Sequence, residues 1–396
     1  MFRVTVDQDG KVALPPDVCR RLRLEAGEEL LIEESDRGLV LHTIRPTVRK
    51  VYLEPTTRCN LSCRTCVRHV WDDPEGDMSA ETFDHVLRGL QALPKLREVG
   101  LGGYGEPLAA PDVLDRVEAL KKLGLKVSIS TNGALLDEQC AEDLVRLGVD
   151  AVIVSMDGTE PQTYAEVRQG ADLPTVIEHL EGLKRIKEAH HTPLPRLDIE
   201  FVAMKRNLTE LGEMPSLARR LGASRVLVSH LLPHTPEMVA ETLYCRDETP
   251  PLAMPASWPV AAEGWLLQGT LDLPRMHWGA TRHCRFVADE ALVIGWDGGV
   301  SPCYALSHSY PYYIFGRRKQ VSRYTLGNVT ETPLPDIWSA EDHVRFRSAV
   351  RDFRFPSCVD CDLRDTCDLT EANEGCWGHN PSCADCLWAQ DIIRCP

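Results

Sequence analysis

The chain has 396 residues, 43% hydrophobic and 26% charged, which is enough for two or three domains with a sizeable core. Forty-four basic against 59 acidic side chains give a formal charge of −15, which repels nucleic acid and anionic lipid over most of the surface. No apolar run approaches the roughly 20 residues of a membrane span, and Met1–Asp7 lacks the basic-then-apolar layout of a secretion signal, so a cytoplasmic protein is expected.

Residues 1–48 read as short strands around one helix. Strands are expected at Phe2–Val6, Val12–Pro15, Glu29–Glu34 and Leu39–His42, a helix at Pro16–Leu22, and turns at Gly10, Gly27 and Gly38. The runs Val6–Pro15 and Leu24–Leu30 resemble the swapped-hairpin domain of AbrB-type transcription regulators. In that family two chains interleave to complete one barrel, so the resemblance implies a homodimer through residues 1–48. Residues 1–45 carry seven basic and nine acidic side chains, no excess with which to neutralise phosphates, so dimerisation or docking is expected ahead of DNA binding.

Residues 49–240 alternate strands and helices. Strands are expected at Lys50–Glu54, Glu98–Leu101, Lys126–Ser130, Ala151–Ser155, Arg196–Val202 and Arg225–Ser229. Helices are expected at Ala80–Leu93, Pro111–Leu123, Asp137–Leu147, Gln162–Ala189 and Leu208–Leu221. The rhythm predicts an α/β fold, a partial (β/α)6 TIM-like barrel of parallel strands with helices outside, whose chemistry gathers at the C-terminal strand ends.

Directly after the first strand come Cys59, Cys63 and Cys66. Three thiolates at these short gaps hold three corners of an iron–sulfur cube and leave one iron open. A zinc loop, with His69 the nearest candidate for a fourth ligand, remains an alternative at this point. Thr57–Cys66 resembles the cluster loop of radical S-adenosylmethionine (SAM) enzymes. After the second strand, Gly102–Leu108 resembles that family's Gly-Gly-Glu motif, which holds the methionyl amino group of SAM. The role passes to Gly103, Gly105 and Glu106, although Tyr104 interrupts the plain form. The third and fourth strands end in Ser130–Gly133 and Ser155–Gly158, and by resemblance Ser130, Asn132 and Ser155 contact SAM. Asn-Gly and Asp-Gly are also favourable turn pairs whatever they bind. The resemblance implies reductive cleavage of SAM to a 5′-deoxyadenosyl radical.

Residues 241–283, rich in Pro and Trp, read as a connector. Residues 284–396 hold nine cysteines: Cys284, Cys303, Cys358, Cys361, Cys367, Cys376, Cys383, Cys386 and Cys395. Two four-thiolate clusters use eight of them. The spacing Cys284-x13-Gly298-x4-Cys303, then Cys358-x2-Cys361-x5-Cys367, resembles the SPASM extension of radical SAM enzymes, and implies auxiliary 4Fe–4S clusters. Glu371 stands where that family continues with a cysteine. Zinc is the alternative for the pairs Cys358/Cys361 and Cys383/Cys386.

Val228–Met238 and Glu374–Pro396 resemble radical SAM/SPASM maturases associated with tungsten-cofactor oxidoreductases. That resemblance implies a maturase acting on a tungstoenzyme or its tungstopterin cofactor, served by an electron donor such as ferredoxin or flavodoxin. Two rivals are a peptide-modifying or sulfatase-maturing SPASM enzyme and a DNA-binding iron–sulfur redox regulator. His230 and His234 flank the last strand end and are candidates to face substrate. No general acid or base is assigned.

Overall fold

The computed structural model describes residues 3–35, 38–245, 269–274, 282–358, 361–375 and 378–395. Most of the connector, the turn at Asp36–Arg37 and the candidate ligand Cys376 lie outside the described residues.

Near the start of the chain stand helix α1 (Pro16–Leu22) and the antiparallel hairpin of β1 (Leu30–Ser35) and β2 (Gly38–Thr43). The strands expected before α1 reduce to a single bridge, Val6 to Val12. Among the described residues, none of the first 45 contributes a side chain to the buried hydrophobic clusters. Their tie to the rest of the chain is polar: Arg354 pairs with Glu33, and Ser339 Oγ donates to the Ile44 carbonyl.

Six parallel strands follow: β3 (Lys50–Leu53), β4 (Glu98–Leu101), β5 (Lys126–Thr131), β6 (Ala151–Ser155), β7 (Arg196–Ala203) and β8 (Arg225–His230). They pair in chain order. Their β-branched and leucine side chains, Val51, Val99, Val127, Ile129, Val152, Val154, Ile199 and Val226 among them, are fully buried beneath the covering helices. Among these helices are α2 (Ala80–Gln91), α3 (Val113–Lys122) and α4 (Glu138–Arg146). The side chains of Ser79 and Asp137 accept the Thr82 and Cys140 N–H groups, capping α2 and α4.

The sheet is wider than six strands. β9 (Thr270–Asp272) adds in parallel beside β8, and β10 (Ala291–Ile294) adds in parallel beside β3. The antiparallel strands β11 (Gly299–Ser301) and β14 (Gly327–Asn328) complete ten. The run Ala-Leu-Val-Ile at 291–294 is buried on both faces, so it belongs to the barrel sheet although it lies beyond Cys284. The remaining strands, β12 (Tyr310–Ile314) and β13 (Arg317–Val321), form a hairpin over a second core of Tyr310, Tyr312, Phe346, Leu387 and Ile392.

Two expected helices are broken. Gln162–Ala189 divides into α5 (Pro161–Val167) and α6 (Leu173–Ala189), because Gly170 adopts φ +95° and Asp172 starts a new helix by capping Thr175. The break has a use. Val167 and Gln169 present free carbonyls to the N–H groups of Arg64 and Ser62, fastening the cysteine loop from outside. Leu208–Leu221 divides into a 3-10 turn, Leu208–Gly212, and α7 (Met214–Leu221), where Pro215 occupies the first turn.

A buried imidazole joins the C-terminal region to the barrel. His308 is 2% exposed, with Nε2 2.8 Å from Glu54 Oε2 and Nδ1 2.9 Å from Asp73 Oδ2. Two carboxylate acceptors require both ring nitrogens to donate, so the ring is an imidazolium. Burial works against this charge, but the Asp73 and Glu54 carboxylates outweigh it and lift the pKa to about 9. Stability from this group is therefore complete below the unfolded value near 6.5, declines as pH rises, and is gone above about 9. His308→Gln should cost about 3–5 kcal/mol by leaving the carboxylates unmatched, and should flatten this alkaline loss. Urea unfolding at pH 6.5 and 9.5 reads both effects; an unchanged wild-type stability between the two would contradict the charge assignment.

Candidate functional site

A cavity of about 270 Å³ opens at the C-terminal ends of the parallel strands. Every SAM-contact candidate, namely Gly103, Gly105, Glu106, Ser130, Asn132 and Ser155, lines it together with Cys59, Cys63 and Cys66. Positions separated by almost a hundred residues meet because each follows or ends a neighbouring strand.

Each thiol of the loop receives an N–H donor. Leu61 N is 3.4 Å and Asn132 Nδ2 3.7 Å from Cys59 Sγ; Arg168 Nη1 is 3.9 Å from Cys63 Sγ; Arg68 Nε is 3.3 Å from Cys66 Sγ. Arg68 also donates to the carbonyls of Thr57 and Leu61, clamping the loop it serves. Burial pushes the Cys59 and Cys63 thiols up, while Arg68 and Arg168 respectively pull them down. Three soft donors, each facing N–H groups and near a fixed cation, fit an anionic iron–sulfur cluster. His69, the nearest fourth ligand for the zinc alternative, donates from Nε2 to the Cys63 carbonyl at 3.1 Å. Among the described residues, no three His, Cys, Asp or Glu side chains are grouped to hold a single metal ion.

The glycine loop is held by two buried carboxylates. Glu54 Oε1 accepts the Tyr104 N–H at 2.9 Å, and a Cβ on Gly103 would lie 2.5 Å from that same oxygen. Glu106 is 2% exposed; Oε1 accepts from Thr131 Oγ1 (2.8 Å) and Leu108 N (3.0 Å), and Oε2 from Asn132 N (2.8 Å). Glu106 therefore locks the loop after β4 to the loop after β5. Asn132 Nδ2 in turn donates to Asn60 Oδ1 at 2.8 Å, reaching the cysteine loop.

Several cavity residues escaped the sequence reading. Arg168 is held by Asp157, whose Oδ2 lies 2.6 Å from Nε and whose Oδ1 accepts the Val202 N–H. Its signal was a lone arginine closing the helix after Ser155–Gly158. Glu200 projects from β7, and burial lifts its pKa to about 7, with Arg168 pulling it down. It can therefore both give and take a proton near neutral pH. In an alternating strand it reads only as one more outward polar residue. Of the two candidate histidines, His230 lines the cavity. It is 1% exposed, neither ring nitrogen has a hydrogen-bond partner, and burial lowers its pKa to about 4. His234 is buried but is not part of the cavity wall.

The C-terminal thiols separate. Cys284, Cys303, Cys383 and Cys386 influence one another electrostatically, and the last three line a 30 Å³ void with Lys319 and Trp388. Backbone N–H groups of Phe286 and Val287 face the Cys284 sulfur, those of Ala305 and Leu306 face Cys303, and those of Trp388 and Ala389 face Cys386. Such turns suit cluster thiolates. Cys358, Cys361 and Cys367 share a separate loop closed by the Cys361 N–H to the Cys358 carbonyl. Cys395 stands in the wall of the 270 Å³ cavity.

Residues 53–196 match the Radical SAM superfamily model, and residues 284–362 match the model of the SPASM iron–sulfur cluster-binding domain. The chain is 40% identical over 353 residues to the tungsten-containing aldehyde ferredoxin oxidoreductase cofactor-modifying protein of Pyrococcus furiosus, covering 88% of this chain and 97% of that one. A probable GTP 3′,8-cyclase of Methanococcus vannielii is 32% identical over 44% of this chain and 57% of its own. Among solved structures, Streptococcus suis SuiB bound to S-adenosylmethionine aligns with a TM-score of 0.56 at 15% identity, over 83% of this chain and 73% of that one. The enzyme anSMEcpe with bound AdoMet and Cp18Cys peptide aligns at 0.54 and 18%, over 87% and 94%. These two likenesses concern the fold.

The close approach at Gly105 gives a direct check on the site. A Cβ there would lie 2.1 Å from the Thr56 carbonyl oxygen and 2.8 Å from that of Arg58, both backbone atoms of the cysteine loop. Gly105→Ala should lower the urea midpoint by an amount equivalent to at least about 1–3 kcal/mol and reduce iron retained on reconstitution. An unchanged midpoint and iron content would contradict the packing described.

Proposed function

Because the chain belongs to the radical SAM superfamily, in one family with the Pyrococcus furiosus cofactor-modifying protein, we propose that Cys59, Cys63 and Cys66 hold the SAM-binding 4Fe–4S cluster. We further propose that the substrate is a tungsten-containing oxidoreductase or its tungstopterin cofactor. The protein is a radical SAM enzyme with a SPASM iron–sulfur domain. When bound, the cluster supplies one electron to SAM, whose sulfur–carbon bond breaks to leave methionine and a 5′-deoxyadenosyl radical.

The protein's own residues bind, orient and shield. The Gly103–Gly105 backbone, fixed by Glu54 and Glu106, offers carbonyls to the methionyl amino group of SAM. Arg168, charged and anchored by Asp157, is placed to meet the methionyl carboxylate, while Ser130, Asn132 and Ser155 meet the remaining polar groups. Glu200 and His230 face the space left for substrate. Cys284, Cys303, Cys383 and Cys386 are assigned to one auxiliary cluster, and Cys358, Cys361 and Cys367, with Cys376, to a second.

The observation that carries the substrate assignment is the 40% identity across nearly the full length of a relative named for modifying this cofactor. The SPASM neighbours with peptide substrates share the fold alone. Aldehyde ferredoxin oxidoreductase produced with and without this protein should differ in the mass or activity of its tungsten cofactor; identical cofactor from both would contradict the assignment. Ferredoxin or flavodoxin is the proposed electron donor. Among the described residues no helix is long and apolar enough to cross a membrane, and a cytoplasmic location is proposed.

A homodimer through residues 1–48 completes the proposal. Eight of the eleven exposed large hydrophobic side chains among the described residues lie between Val4 and Leu41, including Val6 at 62%, Ile32 at 63% and Leu39 at 70% exposure. A hairpin and a one-sided helix without their own core are suited to a second copy.

Two variants probe separate parts. Cys63→Ala should lose about four irons per chain and all 5′-deoxyadenosine formation, measured by iron assay and mass spectrometry; retained cleavage would contradict the ligand assignment. Removing residues 1–45 should convert dimer to monomer by light scattering while SAM cleavage persists. A dimer that survives would contradict the role given to this segment.

A further inference from the structure

Nine cysteines follow residue 283, and the surroundings of Cys395 differ from those of Cys284, Cys303 and Cys386. Cys284, Cys303 and Cys386 sit at turns whose backbone N–H groups face the sulfur. Cys395 instead receives an indole donor, Trp388 Nε1, at 3.2 Å, and shares the reaction cavity with Cys59, Cys63 and Cys66. Its position is built by the fold. The His230 backbone N–H donates to the Ile392 carbonyl, and the Arg394 backbone N–H to Ser229 Oγ. The Arg394 guanidinium, 1% exposed, donates to the Asp272 carbonyl at 2.7 Å and pairs with Asp272 and Asp391. These bonds press residues 392–395 against the ends of β8 and β9.

A second observation marks this part of the cavity as a place where a ligand sits. His230, 1% exposed and in the same wall, has neither ring nitrogen partnered by protein, so both are available to a polar group that enters the cavity. Trp388 lines both the reaction cavity and the small void beside Cys303, Cys383 and Cys386. The indole thus stands between Cys395 and the proposed auxiliary cluster.

Resting on the radical SAM assignment above, we propose that Cys395 is a catalytic thiol that donates a hydrogen atom to a carbon radical in the cavity, and is not an auxiliary-cluster ligand. The S–H bond breaks homolytically, a C–H bond forms, and a thiyl radical is left on Cys395. One electron from a reduced iron–sulfur cluster and one proton from water restore the thiol. The direction is favourable because a thiol S–H bond is weaker than the C–H bond of a primary alkyl group. Burial, with Glu200 adding to it, pushes the thiol up to about 12, which keeps the hydrogen in place.

The test needs no knowledge of the natural substrate, because in its absence the 5′-deoxyadenosyl radical is itself the carbon radical beside Cys395. Reconstituted holoenzyme is given SAM and dithionite in anaerobic, thiol-free D2O buffer, and the 5′-deoxyadenosine is weighed. The wild type should place one deuterium in the product. Whatever product Cys395→Ser and Cys395→Ala form should be unlabelled, because the serine O–H bond is too strong to donate, and both variants should retain the wild-type iron count. Label that persists in both variants, or loss of about four irons from them, overturns the proposal. Unlabelled product from the wild type overturns it without reference to any variant. A wild type that forms no 5′-deoxyadenosine overturns the radical SAM assignment as well, which separates the two failures.

Discussion

The cavity depends on a pair of buried carboxylates whose partners come from distant parts of the chain. Glu54, at the end of the first barrel strand, takes the His308 imidazolium from the C-terminal region and the Tyr104 N–H from the glycine loop. Glu106 takes Thr131, Asn132 and Leu108. Each carboxylate is almost wholly desolvated, so its loss would leave several donors unmatched in a dry interior. Together they fix the loop after β4 against the cysteine loop on one side and the loop after β5 on the other. The space for a cofactor is what remains between the three loops.

The same arrangement explains how a C-terminal cluster region comes to bear on barrel chemistry. β10 extends the barrel sheet beside β3, His308 bonds to the end of that strand, and the segment at 392–395 is tied to the end of β8. The region is therefore fastened at two places along the rim of the sheet. Trp388 lines both the reaction cavity and the small void beside Cys303, Cys383 and Cys386, so one side chain separates the two spaces.

Local patterns were legible in the sequence, and long-range partnerships were not. The six barrel strands, the cysteine loop and the Gly103–Glu106 and Ser130–Gly133 loops follow from periodicity and resemblance, because the information lies within a few adjacent residues. The breaks at Gly170 and at Pro215 were readable in principle, since glycine permits positive φ and proline removes a donor, but a long amphipathic stretch masked both. Arg168, Glu200 and His308 gave little signal. Their importance arises from desolvation, from partners fifty or more residues away for His308, and, for Glu200, from a register that sets it beside Ser155 at the end of β6. Strand β10 was hidden by its neighbours, because a four-residue apolar run beside a cysteine-rich segment has no period of its own.

The division of the C-terminal cysteines is likewise a property of three dimensions: spacing counts nine thiols, and only placement separates Cys395 from the rest. The most direct test of the central claim is a count of iron on the anaerobically reconstituted wild-type protein, combined with assay of 5′-deoxyadenosine after addition of SAM and dithionite. Three cubes predict about twelve irons per chain and formation of 5′-deoxyadenosine. Zinc in place of iron, or a fully loaded protein that leaves SAM intact, would contradict the account.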